Sequence, residues 1–254
     1  MLLAIDIGNT NTNLGVFDGQ RLEHSWRIKT DARETADELA LTFRGLLREL
    51  PVTGIAACST VPAVLRELRT MLTAYYADVP TILVEPGVRT GVGILTDNPK
   101  EVGTDRICNT VAAHHLAGDR PAIVVDFGTS TNFDVVSANG DFLGGALAPG
   151  IEISLDALAA RAAQLRKVEL VAPRNPIGKN TVESLQSGIV YGFAAQVDGL
   201  TRRLAAQLAP ADPSGVEVIA TGGLALLVID HCDTVNRHEP DLTLHGLRLI
   251  YDRN

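Results

Sequence analysis

Short apolar runs closed by turn residues open the chain. Ala4-Ile5-Asp6 runs into Ile7-Gly8-Asn9-Thr10, Leu14-Gly15-Val16-Phe17 runs into Asp18-Gly19, and Leu22 to Ile28 supplies a third run. Runs of this length bounded by Gly, Asn and Asp predict strands joined by tight turns. The spacing then becomes helical. Leu39, Phe43, Leu46 and Leu50 predict a helix over about 34–50, and Gly54 to Cys58 reads as a strand. Pro62 opens the next helix, with Ser59-Thr60 as its cap. Ile107, Val111 and Leu116 predict a helix beginning near Thr104. Ile151, Leu155, Leu158, Ala162 and Leu165 mark another, and an apolar stripe from Val182 through Ile189, Phe193 and Val197 to Leu208 marks a long one. These stripes are read as core packing or, over 182–208, as part of a dimer surface. Val216 to Ala220 predicts a strand entering the turn Thr221-Gly222-Gly223, and Ala209 to Gly215 an exposed loop.

The opening pattern returns 120 residues later: Val124-Val125-Asp126-Phe127-Gly128-Thr129-Ser130-Thr131-Asn132, then Asp134-Val135-Val136 and Asn139-Gly140, with Asp141 to Leu147 as the third strand. A strand–turn–strand unit repeated at half the chain length predicts two similar domains, divided here as 1–117 and 118–254. The turn itself has a chemistry. Gly8 and Gly128 let backbone approach a ligand with no Cβ between them. The following Asn and Thr residues offer amide, hydroxyl and N–H donors to phosphate oxygens. Asp6 and Asp126, at strand ends, can hold a cation directly or through water. A single Asp-x-Gly turn is as well explained as a hairpin; two at matched positions favour the ligand role.

Composition narrows the class. The chain has 254 residues, 46% hydrophobic and 20% charged, which is ordinary globular usage. A formal net charge of −8 argues against a nucleic-acid or anionic-membrane surface. Cys58, Cys108 and Cys232 form no CxxC pair, as expected for a reducing cytoplasm. The longest uncharged stretch, Leu50 to Leu65, carries Pro51 and Pro62 and is too short to span a bilayer. There is no G-x-x-x-x-G-K-[ST], no H-E-x-x-H and no G-x-S-x-G.

Between the repeats lies Asn98-Pro99-Lys100-Glu101-Val102-Gly103-Thr104-Asp105-Arg106. Asp105 and Arg106 fall at a helix N-terminus, where a carboxylate is favoured by the dipole and an Arg can fork onto a substrate carboxylate. In a phosphoryl transferase such a carboxylate accepts the proton of the attacking hydroxyl; a capping acid with a surface ion pair is the other reading. Gly178-Lys179-Asn180-Thr181 offers polar groups for a substrate, with Thr181 also placed to cap the long helix, and Gly144 to Gly150 is a third glycine-rich loop.

Six segments in order, D-I-G-N-T at 6–10, N-P-K-E-V-G-T-D-R at 98–106, D-F-G-T at 126–129, G-G-A-L-A-P-G at 144–150, G-K-N-T at 178–181 and T-G-G at 221–223, resemble the type III pantothenate kinases of the actin, sugar-kinase and heat-shock-chaperone superfamily. The resemblance implies an α/β fold of duplicated actin-like (ribonuclease H-like) domains with a central nucleotide cleft, and a cytoplasmic homodimer. It implies ATP-dependent phosphorylation of pantothenate, the first step towards coenzyme A, with Mg²⁺ and K⁺ or NH₄⁺. Asp6, Ile7, Gly8, Asn9, Thr10, Asn11, Thr12 and Asn13 would meet the ATP phosphates, Asp6 near Mg²⁺, and Thr129 would touch ATP. Asp105 would be the general base, Gly103, Thr104, Asp105, Arg106 and Thr181 would contact pantothenate, and Asp126 would bind the monovalent cation. Thr96 stands where many relatives have Tyr. Two rival readings stand beside this one: a kinase of another small alcohol, and a nucleotide-binding regulatory or accessory protein without kinase activity.

Overall fold

The computed structural model describes residues 1–161 and 168–254. Its chain divides into two compact units, one formed by 1–92, 98–112 and 242–254 and the other by 93–97 and 113–241. The 117/118 division read from the repeat lies at the end of a helix, and the C-terminal segment belongs with the first unit. Ala162 and Leu165 of the expected fourth helix lie outside the described residues.

In the first unit β1 (Leu2–Ile7), β2 (Asn11–Asp18) and β3 (Arg21–Lys29) form an antiparallel meander, and β4 (Gly54–Ser59) and β5 (Thr81–Leu83) extend it in parallel, in the order β3-β2-β1-β4-β5. β1 is the centre, which is why it is apolar on both faces. Leu3, Ile5 and Ile7 point to one side with Leu14, Val16, Ile55 and Ala57. There they meet Leu39, Phe43 and Leu47 of α1 (Ala36–Leu47) and Val64, Leu68 and Met71 of α2 (Pro62–Tyr75). Ala4, Ala56 and Cys58 point to the other side, against Cys108 and Val111 of α3 (Thr104–Ala117) and Leu244, Leu247 and Ile250 of α7 (Leu242–Asp252). A Cβ on Gly246 would lie 2.0 Å from the Cys108 carbonyl oxygen, so only glycine lets α7 pack this closely on α3. Thr35 and Glu38 form a capping box at the start of α1. The expected Ser59-Thr60 cap of α2 is not formed: its N-cap is Val61, and the Ser59 hydroxyl instead accepts from the Val61 amide at 3.1 Å.

The second unit repeats the pattern. β6 (Ala122–Phe127), β7 (Ser130–Val136) and β8 (Phe142–Pro149) form the meander, and β9 (Glu217–Thr221) and β10 (Arg237–His238) continue it in parallel, in the order β10-β9-β6-β7-β8. Ile123, Val125, Phe127, Phe133 and Val135 pack against α4 (Ile151–Arg161) and α5 (Thr181–Leu208). The stripe of α5 is absorbed here: Ile189, Phe193 and Val197 are core residues, so from Ile189 onwards it is not a free dimer surface. A short α6 (Ala225–Val228) follows β9. Both sheets therefore have one topology: the duplication expected from the repeat, in the actin-like form that the resemblance implies.

Candidate active site

The register of the first sheet decides what surrounds Asp6. Directly opposite it stand Asn13 on antiparallel β2 and Cys58 on parallel β4. Paired residues project from the same face, so the three side chains form a row at the C-terminal end of β1. Asn13 Nδ2 donates to Asp6 Oδ2 at 3.0 Å, and Cys58 Sγ donates to Oδ1 at 3.5 Å. Asp6 is only 8% exposed. Burial pushes its carboxyl up to about 6; the Asn13 bond opposes this, the Asp105 charge adds to it, and the Cys58 bond opposes it again. The Cys108 thiol first, then burial and the two carboxylates, hold the Cys58 thiol well above its ordinary value, so it stays a protonated donor.

The turn after β1 is shaped by its own bonds. The Gly8 amide donates to the Asn11 carbonyl at 3.0 Å, and the Thr30 hydroxyl donates to the Gly8 carbonyl at 2.8 Å. Of the eight residues expected to cradle phosphate, Asn9 and Thr10 are exposed, and Gly8, Asn11 and Asn13 are partly so. Ile7 is a core side chain, Thr12 is buried with its hydroxyl 3.0 Å from that of Thr30, and the Asn13 amide is engaged by Asp6. The exposed residues of this turn thus lie at its tip.

Asp105 occupies the first turn of α3, as its sequence context predicts. The Arg106 amide donates to its Oδ1 at 2.8 Å. Burial raises the Asp105 carboxyl above its ordinary value, and the Arg106 amide and guanidinium pull the other way. A Cβ on Gly103 would come 2.5 Å from Asp105 Oδ1, so glycine here leaves the carboxylate its position. The helix start is tied to β4 through the Thr104 hydroxyl, which donates to the Ser59 carbonyl at 3.2 Å. The first unit therefore gathers two desolvated carboxylates, Asp6 and Asp105, with the Asp105 charge close enough to raise the Asp6 carboxyl.

In the second unit Asp126 stands in the equivalent row, paired with Asn132 on β7 and Thr221 on β9. Gly222 follows with φ +92°, and a Cβ on it would lie 2.6 Å from Asp126 Oδ1 and from both the N and O of Phe127. The turn after β9 is thus moulded onto the Asp126 turn. Thr129 is exposed, and its carbonyl accepts from the Gly150 amide at 3.2 Å. Thr181 is exposed at the first position of α5; the capping role expected of it belongs to Asn180, whose Oδ1 accepts from the Glu183 amide at 2.9 Å. Thr96 Oγ1 is buried without a partner, and its methyl would lie 3.8 Å from a Cβ at Gly144.

Cys58, Thr30 and Thr60 belong to this neighbourhood and carry no motif. Their sequence-level signal is position: Cys58 matches Thr221 once the two sheets are registered on Asp6 and Asp126. Among the described residues no group of three or more His, Cys, Asp or Glu side chains could cage a metal ion, and no helix is long and apolar enough to cross a membrane.

Comparison with known proteins gives the family and the fold. A family model described as type III pantothenate kinase matches residues 2–203. Type III pantothenate kinases of Frankia casuarinae and Salinispora arenicola are 65% and 64% identical, each aligned over all of both chains. Among solved structures, a protein of Campylobacter jejuni described as a Baf family transcriptional activator aligns with a TM-score of 0.62 at 20% identity, covering 99% of this chain and 98% of its own. The ROK hexokinase of Thermus thermophilus aligns with a TM-score of 0.52 at 18% identity over the same shares. At these identities the two structures speak for the fold alone.

Proposed function

The chain belongs to the type III pantothenate kinase family, and from that premise we propose how its residues divide the work of phosphorylating pantothenate with ATP. The observation that carries the assignment is the pair of carboxylates in the first unit, buried Asp6 leading into a donor-rich turn and half-buried Asp105 opening a helix. Asp105 is the general base. It accepts the proton of the primary hydroxyl of pantothenate while that oxygen bonds to the γ-phosphorus and the bond from phosphorus to the ADP oxygen breaks. Burial lifts its proton affinity towards the operating range, which suits a base better than a fully solvated aspartate would. Arg106 forks onto the pantothenate carboxylate, Gly103 and Thr104 are further pantothenate contacts, and Thr181 is assigned to pantothenate from the family motif alone.

The turn Asp6 to Asn13 receives the ATP phosphates, with Asn9 and Thr10 as the exposed residues, and Thr129 is assigned to ATP from the family motif alone. Asp6 fits a nucleotide-borne Mg²⁺: each of its oxygens accepts one hydrogen bond and keeps a lone pair, and Mg²⁺ commonly takes one or two carboxylates with waters and phosphate. Asp126, in a row with Asn132 and Thr221, offers the oxygen donors a K⁺ or NH₄⁺ ion uses. When bound, these cations supply charge neutralisation on the phosphoryl oxygens.

A homodimer is supported by apolar side chains left exposed on the second unit: Leu143 and Leu147 on edge strand β8, Ile153 and Leu158 on α4, and Ile177 and Val182 around the start of α5. A cytoplasmic location is supported by three unpaired cysteines. Activity is tested with purified protein, pantothenate and Mg-ATP, with K⁺ exchanged for Na⁺. ADP release that requires pantothenate and falls in Na⁺ is expected. ATP binding with no transfer to pantothenate would refute the assignment.

A further inference from the structure

The end of β4 is bonded to the Asp6 carboxylate and to the helix start that carries Asp105. Cys58 donates to Asp6 Oδ1 at 3.5 Å from one flanking strand, while Asn13 donates to Oδ2 at 3.0 Å from the other. One donor per oxygen, from opposite sides, fixes the plane of the carboxylate. The Cys58 side chain is 1% exposed and packs with Cys108 and Val111 of α3 and Leu247 of α7, so it has no room to swing away. The next two residues continue the contact. The Ser59 carbonyl accepts from the Thr104 hydroxyl at 3.2 Å, and Thr60 donates to the Ile7 carbonyl through its amide at 3.0 Å and its hydroxyl at 3.4 Å. The tripeptide therefore joins the strand carrying Asp6 to the helix start carrying Asp105. In the second unit the matching position also carries a side-chain donor, Thr221, beside Asp126.

We propose that Cys58 is a positioning residue for phosphoryl transfer, whose thiol hydrogen bond orients the Asp6 carboxylate for the Mg-nucleotide. The inference rests on the assignment of Asp6 to that ligand. If Cys58 were only core filling, its replacement would alter stability and nothing specific to nucleotide.

The test compares Cys58→Ala, Cys58→Ser and Asp6→Asn with the wild type. Mg-ADP affinity is read by isothermal titration, the KM values for Mg-ATP and pantothenate by initial rates, and the unfolding midpoint by calorimetry. A thiol is a weak donor, so losing its bond to Asp6 is counted as an ordinary hydrogen bond, about 3–10-fold. Cys58→Ala is expected to weaken Mg-ADP binding and raise the Mg-ATP KM by that factor, with the pantothenate KM unchanged. Cys58→Ser is expected to restore both, because a hydroxyl donates to the same oxygen, even though placing it in an apolar layer lowers the unfolding midpoint. Affinity and stability moving in opposite directions in the serine variant is an outcome that packing alone does not produce. Wild-type nucleotide affinity in Cys58→Ala, or a serine variant no better than alanine, overturns the inference. Asp6→Asn separates the two levels. If it binds Mg-ADP as the wild type does, the Asp6 assignment falls and the Cys58 inference with it. If it loses affinity while Cys58→Ala keeps it, the Cys58 inference alone falls.

Discussion

Asp105→Asn is expected to lower kcat by about 10²–10⁴-fold, a barrier increase of about 3–5 kcal/mol, because the amide has the shape of the carboxylate but cannot take a proton. The structure says why folding should survive. The amide oxygen can still accept from the Arg106 N–H, the bond that holds Oδ1 at 2.8 Å, so the start of α3 keeps its geometry. It also fixes the sign of the stability change. Burial holds the Asp105 carboxyl above its ordinary value, with the Arg106 amide and guanidinium only partly offsetting it. The folded state thus binds this proton more tightly than the unfolded chain, whose carboxyl titrates near 3.9. Stability from this group is fully present below the unfolded value and is lost as pH rises through the folded one. The variant has no such loss, so its unfolding midpoint should exceed that of the wild type at about pH 8, with the gap closing as pH approaches 4. Initial rates with saturating pantothenate and Mg-ATP, and calorimetric scans at several pH values, check both halves. Turnover within about threefold of wild type would remove Asp105 as the base. A midpoint lowered at pH 8 would show that its hydrogen bonding, not its desolvation, dominates.

Gly222→Ala should disturb the Asp126 turn: a Cβ at φ +92° would meet Asp126 Oδ1 and the Phe127 backbone at 2.6 Å. We expect a stability loss of at least about 1–2 kcal/mol for the left-handed backbone alone, together with a smaller K⁺-over-Na⁺ rate ratio, read by denaturant titration and cation exchange. Asp198→Ala should cost about 2–3 kcal/mol in the same titration with little change in nucleotide affinity, since Asp198 accepts from the Asp233 and Thr234 amides and the Thr234 hydroxyl, away from the catalytic turns. Burial pushes the Asp198 carboxyl up, but those bonds and Arg202 outweigh it and leave it below the ordinary range. Its contribution is therefore present above the unfolded value and lost as pH falls through the folded one, so the gap between variant and wild type should narrow in acid. Thr35→Ala removes the capping box of α1 and should lower stability by about 1 kcal/mol with no effect on turnover.

Much of this molecule is determined locally. The echo between Asp6 and Asp126 specified two meanders, because short apolar runs closed by Asp-x-Gly turns can pair with their neighbours only in a few ways. The stripe of α5 predicted its helix to within a residue at either end, and Asp105 fell in the first turn of α3 because Pro99 and Gly103 leave little choice of where that helix begins. The helix caps were less legible: Asn180 rather than Thr181 caps α5, since neighbouring polar residues compete for the same orphan amides on nearly equal terms, and α2 starts after Val61 with no side-chain cap because the Ser59 hydroxyl is engaged by the Val61 amide.

Only tertiary structure could decide the rest, because it depends on pairing between distant segments. Cys58 gains its place beside Asp6 from parallel register across 52 residues, with nothing in its neighbours to announce it. α7, at the far end of the chain, covers the first sheet because its apolar face and Gly246 fit the groove above Cys108. Burial, which lifts both carboxylates, is likewise a property of everything packed around them and not of the residues themselves. Chemistry-bearing residue types can be read along a chain; the proton affinity and orientation they acquire come from desolvation and from partners that only folding brings near.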